Sequence, residues 1–266
     1  MNTDTPRTIV LITGANQGIG YAVAKQLLAH ENYLILLGSR DAERGAKAAA
    51  ELDPSGTRIE PITIDMTDDA SIQQAAEHVS SKYGHLDVLV NNAGINNELA
   101  LYMKQQTGDA QNEKPSLTQL RDLYREVYEV NLFGAAITTE AFTPLLEKAV
   151  AKPARIVFVS SHTGSLGLRT DPSTEFYAKQ KIPAFPIYRS SKTALNMLTL
   201  HYAAKFQEQG WKVNASCPNL TDTSFSGNSG LGRPASESAV NIVRLATLSA
   251  DGENGVYSDE NGVVPW

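Results

Sequence analysis

Aliphatic and β-branched residues gather in six short runs, at residues 8–12, 33–37, 59–64, 86–90, 155–159 and 212–215. We read them as strands buried on both faces of a parallel sheet, because such strands lose the polar alternation of a half-solvated one. Between and after them, residues 20–31, 41–52, 71–83, 117–149, 190–209 and 236–248 carry apolar side chains at three- and four-residue spacings. That is the pattern of crossover helices with one buried stripe. Strand and helix in alternation predict an α/β fold, a doubly wound parallel sheet with helices on both faces. No repeat, low-complexity tract or Pro/Gly/Ser linker divides the chain, so residues 1–266 are expected to form a single domain. Three polar, irregular stretches interrupt the pattern, at 96–116, 166–186 and 219–234. Loops after the carboxyl ends of such strands rim the binding crevice, which makes these stretches candidates for shaping a substrate pocket. A surface insertion without function is the alternative for the first.

Composition narrows the class without changing the fold. The 266 residues are 42% hydrophobic and 20% charged, ordinary for a chain that buries a sizeable core. A net charge of -6, with no run of Lys or Arg, argues against nucleic acid or an anionic membrane as partner. No stretch approaches the roughly 20 apolar residues of a membrane span, and the start Met1-Asn2-Thr3-Asp4-Thr5 lacks the basic and apolar regions of a signal peptide. A cytoplasmic location and no metal site are expected. The single cysteine, Cys217, has no internal disulfide partner and is read as a small buried hydrophobe.

The candidate chemistry begins where the first run enters Thr13-Gly14-Ala15-Asn16-Gln17-Gly18-Ile19-Gly20 and then a helix. Glycines allow a tight turn and let backbone N–H groups approach a pyrophosphate, whose charge the helix N-terminus favours. The Gly-x3-Gly-x-Gly spacing departs from the commoner Gly-x-Gly-x2-Gly, and its place between first strand and first helix makes it a dinucleotide signal. The second strand ends in Gly38-Ser39-Arg40. An acid there would accept from the ribose 2′-OH of NAD, whereas an arginine welcomes a 2′-phosphate, so Ser39 and Arg40 favour NADPH/NADP+. A surface arginine near a helix start is the alternative. Asp65 closes the third strand, either as acceptor for an adenine amino group or as a turn residue ahead of Thr67-Asp68. Asn91-Asn92-Ala93-Gly94 closes the fourth, with small residues for close cofactor approach and amides to tie backbones together.

Tyr188 and Lys192 are four apart, on one face of a helix and within reach of a shared ligand. A nearby ammonium and a cationic oxidised nicotinamide would lower the phenol pKa and suit it to proton transfer. Alone, the pair could equally be a solvated helix face. Ser160-Ser161 at the end of the preceding strand adds a hydroxyl that could hydrogen-bond a substrate oxygen as charge develops. A hydrolase built on Ser161-His162 competes, opposed by the lack of a Gly-x-Ser-x-Gly elbow and by adjacent residues on a strand end pointing apart.

Thr13-Gly14-x3-Gly18-x-Gly20, Asn91-Asn92-Ala93-Gly94, Asn131, Ser161 and Tyr188-x3-Lys192, in this order, resemble the short-chain dehydrogenase/reductase family along nearly the whole chain. The first turn, Ser39-Arg40-Asp41 and the closing segment from Gly255 to Trp266 are similar to its carbonyl reductase branch. The resemblance implies a Rossmann fold and NADPH-dependent reduction of a ketone or aldehyde, a small-molecule carbonyl substrate. An imine or other non-carbonyl reaction on the same scaffold, or a silent NADP(H)-binding regulator, are the alternatives. It further implies Tyr188 as acid/base, Lys192 on the nicotinamide ribose, Ser161 holding the carbonyl, and Asn131 anchoring a water in a proton relay. The dinucleotide would lie on Gly14, Asn16, Gln17, Gly18, Ile19 and Gly20, with Arg40 on the 2′-phosphate and Asp65 and Met66 around adenine. Asn92 and Gly94 would stand near the ribose, and Pro218, Leu220, Thr221 and Thr223 beside the carboxamide. Asn219 departs from the family's usual glycine after that proline. The stretch between Ser161 and Tyr188 is long, a feature that goes with monomers among carbonyl reductases, and monomer or homo-oligomer stays undecided.

Overall fold

A computed structural model describes residues 7–99, 115–175, 185–227 and 230–266. Residues 100–114, 176–184 and 228–229 of the expected pocket loops, and the first six residues, lie outside the described ones. The described strands are β1 (Thr8–Ile12), β2 (Tyr33–Ser39), β3 (Ile59–Thr63), β4 (Val88–Asn91), β5 (Arg155–Val159), β6 (Lys212–Ser216), β7 (Tyr257–Asp259) and β8 (Gly262–Val263). They form one sheet in the order β3-β2-β1-β4-β5-β6-β7-β8. All pairs are parallel except β7 with β8.

Successive side chains of a strand point to opposite faces, and β1 uses both. Ile9 and Leu11 enter one apolar core; Val10 and Ile12 enter the other. The first core is covered by α3 (Asp69–Tyr83), α5 (Ala135–Leu146) and α7 (Pro186–Lys205). The second is covered by α1 (Gly18–Leu27), α2 (Ala42–Leu52) and α8 (Ala235–Ala246). This is the single-domain, doubly wound sheet that the periodicity predicts. Among the described residues no helix is long and apolar enough to cross a membrane.

Several expected boundaries move. β3 is an edge strand that buries one residue on each face, Ile59 in the second core and Ile62 in the first, and leaves Pro61 and Thr63 open. Pro61, which has no N–H for a ladder, is tolerated at such an edge. The continuous helix expected over 117–149 is three pieces: α4 (Leu117–Tyr128), a π turn (Glu129–Gly134) and α5. Gly134 closes the π turn against Met66, whose backbone a Cβ there would overlap. The catalytic-candidate helix begins at Pro186 rather than near 190, which places Tyr188 in its first turn. A short helix, α6 (Leu166–Thr170), stands inside the second irregular stretch. β7 and β8, of three and two residues, were not expected.

One buried carboxylate ties the sheet to its crossovers at the amino ends of the strands. Asp87, fully buried, accepts from the N–H of Ile9 and from those of Val150 and Ala151, each at 2.7 Å. Unpaired buried donors cost about 1–3 kcal/mol each. Asp87→Ala is therefore expected to lower stability by about 3 kcal/mol or more, read from urea unfolding midpoints. A loss below about 1 kcal/mol would show that these amides find other partners.

Candidate active site

Past the carboxyl ends of β1, β4, β5 and β6 the chain encloses a cavity of about 780 Å³, within the range of small-molecule sites. Its floor is the turn between β1 and α1. Gly14 and Gly18 have φ of +63° and +59°, the left-handed region that glycine enters without strain. The Thr13 hydroxyl accepts from the N–H groups of Asn92 and Ala93, both at 3.0 Å, while Asn92 Nδ2 donates to the carbonyls of Thr13 and Gly14. Asn92 thus pins the turn from the neighbouring strand. α1 has no side-chain cap and no acid in its first turn, leaving backbone donors and the positive helix end for an anion such as a diphosphate.

Gly14, Asn16, Gln17, Gly18, Ile19, Asn92 and Gly94 line the cavity. Gly20 does not: it is packed behind the turn, where a Cβ would come within 2.5 Å of Asn92 Nδ2, so its part is to let helix and strand close up. At the end of β2, Ser39 is buried and its hydroxyl is bonded to the backbone of Asp41, while Arg40 is exposed on the cavity rim. Arg44, which sequence reasoning missed, lines the same wall one helical turn on. The nearby acid, Asp41, is engaged as the cap of α2: it accepts from Arg44 N–H at 2.9 Å and pairs with its guanidinium at 3.4 Å. Asp65 lines the cavity, and one of its carboxylate oxygens holds the turn through Thr67 N–H and hydroxyl, as its turn reading expects. Met66 lines the wall beside it.

The chemical centre forms where α7 crosses the end of β5. Ser161, Tyr188 and Lys192 line the cavity together. Lys192 Nζ donates to the carbonyl of Val159 at 2.8 Å and stands 5.8 Å from the centre of the Tyr188 ring. Burial pushes the Tyr188 phenol well above its usual value, opposed by a hydrogen bond to Ser161. Burial also pushes the Lys192 ammonium down, to about 8. In the chain alone, burial outweighs the lowering of the phenol that the Lys192 spacing predicts. Ser160 is excluded from the reacting set by its own bonds, donating to Asn196 Oδ1 at 2.5 Å and to the Lys192 carbonyl at 3.5 Å. His162 Nε2 pairs with Asp259, 3.1 Å away, and the Ser161 hydroxyl bonds Thr163.

Asn131 is brought to the centre but not to the cavity wall. The π turn carries it inward, almost fully buried, where its amide accepts from Ile95 N–H and donates to the Ile95 carbonyl and to the Ser191 hydroxyl. Both amide protons are spent on protein, so a water it anchored would have to use the remaining capacity of Oδ1. Pro218, Leu220, Thr221 and Thr223 line the far side, and Cys217 beneath them is buried as expected, its thiol pushed up to about 11 by burial.

A family model described as short chain dehydrogenase matches residues 8–233. A short-chain dehydrogenase of Penicillium roqueforti, anuI, is 38% identical over 98% of this chain and 97% of its own. A short-chain dehydrogenase/reductase of Stachybotrys chlorohalonatus, ATR10, is 34% identical over 97% of this chain and 90% of its own. Among solved structures, the NADPH-bound carbonyl reductase from chicken fatty liver superposes with a TM-score of 0.77 at 28% identity, covering 98% of this chain and all of that one. Menthone neomenthol reductase from Mentha piperita gives 0.72 at 28% identity, covering 96% and 99%.

Asn219 adopts φ +59°, one of the conformations that its usual replacement, glycine, takes freely, and asparagine is among the side chains that tolerate it best. Its Nδ2 donates to both oxygens of Glu260, at 3.1 and 3.0 Å, and Arg233 pairs with the same carboxylate. The loop beside the cavity is thereby fastened to the β7–β8 turn. Asn219→Gly should keep the loop shape and cost about 1 kcal/mol for the lost hydrogen bonds. Asn219→Val, β-branched at positive φ, should cost clearly more, both read by thermal unfolding. Equal losses would show that the backbone conformation is not what the position demands.

Proposed function

Since the chain belongs to the short-chain dehydrogenase/reductase family, an oxidoreductase family, we propose that it is an NADPH-dependent reductase of ketones or aldehydes with Tyr188 as proton donor. The observation that carries this reading is the shared wall: Ser161, Tyr188 and Lys192 line the same cavity as the uncapped glycine turn. The dinucleotide fits that cavity by its glycine floor, where a Cβ on Gly14 would press on Ala93 at 3.0 Å, and by Arg40 and Arg44 on the rim near the end of β2. Asp41, whose charge would repel a 2′-phosphate, is already taken by α2 and Arg44, which supports NADPH over NADH. The chicken carbonyl reductase, NADPH-bound, points the same way.

When bound, the cofactor supplies the hydride. This chain's residues do the rest. The Ser161 hydroxyl holds the substrate carbonyl oxygen, and the Tyr188 phenol donates the proton to that oxygen as charge builds on it. Lys192, one proton on Val159 O, has two left for ribose hydroxyls. Gln17, Gly18 and Ile19 would offer the diphosphate their turn, Asp65 and Met66 would hold the adenine end, and Thr221 and Thr223 the carboxamide end. The apolar side chains of Leu99, Phe185 and Phe225 line the substrate end, with the Phe225 ring edge-on to Tyr188 at 5.6 Å.

Tyr188→Phe is expected to abolish NADPH oxidation across a panel of aromatic ketones and quinones while NADPH still binds, measured by cofactor fluorescence. Full activity in that variant would remove the mechanism. Arg40→Asp should shift preference from NADPH toward NADH by at least tenfold in kcat/KM, about 1.4 kcal/mol. An unchanged ratio would assign the phosphate to another group, with Arg44 the next to replace.

A further inference from the structure

α7 carries Tyr188, Ser191 and Lys192, yet it begins without a cap of its own. The residue at the cap position, Phe185, has no side-chain acceptor and sits at φ 62°, ψ 44°. Pro186 follows at the first helical position and has no N–H. The first donors needing a partner are therefore those of Ile187 and Tyr188, the two that a capping side chain ordinarily satisfies.

Glu98, 90 residues away in sequence, meets them. Its Oε2 accepts the Tyr188 N–H at 2.8 Å, and its carboxylate also accepts from Ile187 N–H. Glu98 is 8% exposed, a rare position for a carboxylate that is not paired. Burial raises its pKa, and the two backbone donors and the Arg189 guanidinium pull it back. A negative charge at this helix end is favoured by the dipole as well as by the bonds.

The other peptide group of Tyr188 is held from the same segment. Its carbonyl accepts from the Ser191 hydroxyl at 2.7 Å, and that hydroxyl accepts in turn from Asn131 Nδ2 at 3.1 Å. Asn131 grips Ile95 through both its N–H and its carbonyl. Residues 95–98 thus run as a short brace, anchored at Ile95 and closing on the Tyr188 amide at Glu98.

We propose that Glu98 is a positioning residue: from the segment after β4 it caps the catalytic helix and fixes the backbone of Tyr188, and so the placement of its phenol over the cavity. This rests on the reductase reading for its effect on turnover, but not for its effect on where the tyrosine sits. A misplacement of about 1 Å in a reacting group costs on the order of a hundredfold in rate. Ile187 and Lys192 are buried on the packed face of α7, which keeps the helix folded when the cap is lost.

The test compares Glu98→Ala with Glu98→Gln, which keeps an acceptor oxygen, in the full chain. 3-Fluorotyrosine at position 188 reports the ring directly by 19F NMR, with and without NADPH. The expected result is a shifted or broadened resonance in Glu98→Ala, restored in Glu98→Gln. Turnover of a ketone accepted by the unmodified protein should fall 10- to 100-fold in kcat in Glu98→Ala, with KM for NADPH within twofold and recovery in Glu98→Gln. Should Glu98→Ala fail to fold, Glu98→Met keeps the volume and removes both oxygens. An unchanged 19F line in the variant lacking the acceptor, or kcat within twofold of the parent, overturns the proposal. If no carbonyl compound is turned over by the parent protein, the reductase reading falls, and the fluorine resonance alone decides the role of Glu98.

Discussion

β1 lies between β2 and β4, parallel to both, and the chain leaves its two sides to cover opposite faces of the sheet. That divergence opens a gap at the carboxyl end of β1 which no crossover fills. The geometry dictates the rest: whatever follows β1, β2, β4, β5 and β6 is delivered to one place. The glycine turn, Arg40, the Asn92 amide, Ser161 and the loop after Pro218 are the first residues past those strand ends, and all line one cavity. α7 then needs only to cross behind β5 for Tyr188 and Lys192 to complete it.

Within that gap, the polar side chains divide by what they have already spent. Buried polar atoms are almost always paired, so a group with its bonds committed to protein has little left for a ligand. Ser160 and Ser161 illustrate this, adjacent at a strand end and thus facing apart. Ser160 turns inward to Asn196, whereas Ser161 faces the cavity with bonds to Thr163 and Tyr188. Asn91 and Asn92 divide in the same way: the first donates to Thr139 under α5, the second ties the glycine turn. Asn131 spends both amide protons and Asp87 both carboxylate oxygens on protein, one bracing the segment after β4 and the other closing the opposite end of the sheet.

The sheet and most of its helices were legible because hydrophobic runs and helical spacings are local, and the glycine turn because positive φ leaves few residue choices. The Tyr188-x3-Lys192 pair was legible as a pattern, and its meaning came from the serines of a strand 27 residues earlier. What escaped depends on contacts distant in sequence. The π turn ends at Gly134 against Met66, where any side chain would collide, a contact that periodicity over 117–149 cannot register. The openness of β3 depends on its place at the edge, a property of topology rather than of Ile59–Thr63 itself. β7 and β8 are too short for periodicity to detect. Glu98 carried no signal at all, since a carboxylate after Asn-Asn reads as loop until the start of α7 is seen to lack a cap.

The protonation of the centre follows from the same burial that assembles it. Desolvation disfavours whichever form is charged, so it holds the Tyr188 phenol neutral and makes the Lys192 ammonium easier to lose. A neutral phenol is the form a proton donor needs, and the Ser161 side chain is bonded to it. The proposed reduction would ask the phenol to give its proton as negative charge appears on the substrate, and the phenolate left behind is the species that burial penalises. In the proposed mechanism Lys192 would offset that penalty: its Nζ, held by Val159, stands 5.8 Å from the centre of the ring, in a medium dry enough for an attraction to count. The proposed brace from Ile95 to Glu98 would act on that same separation, through the backbone of Tyr188.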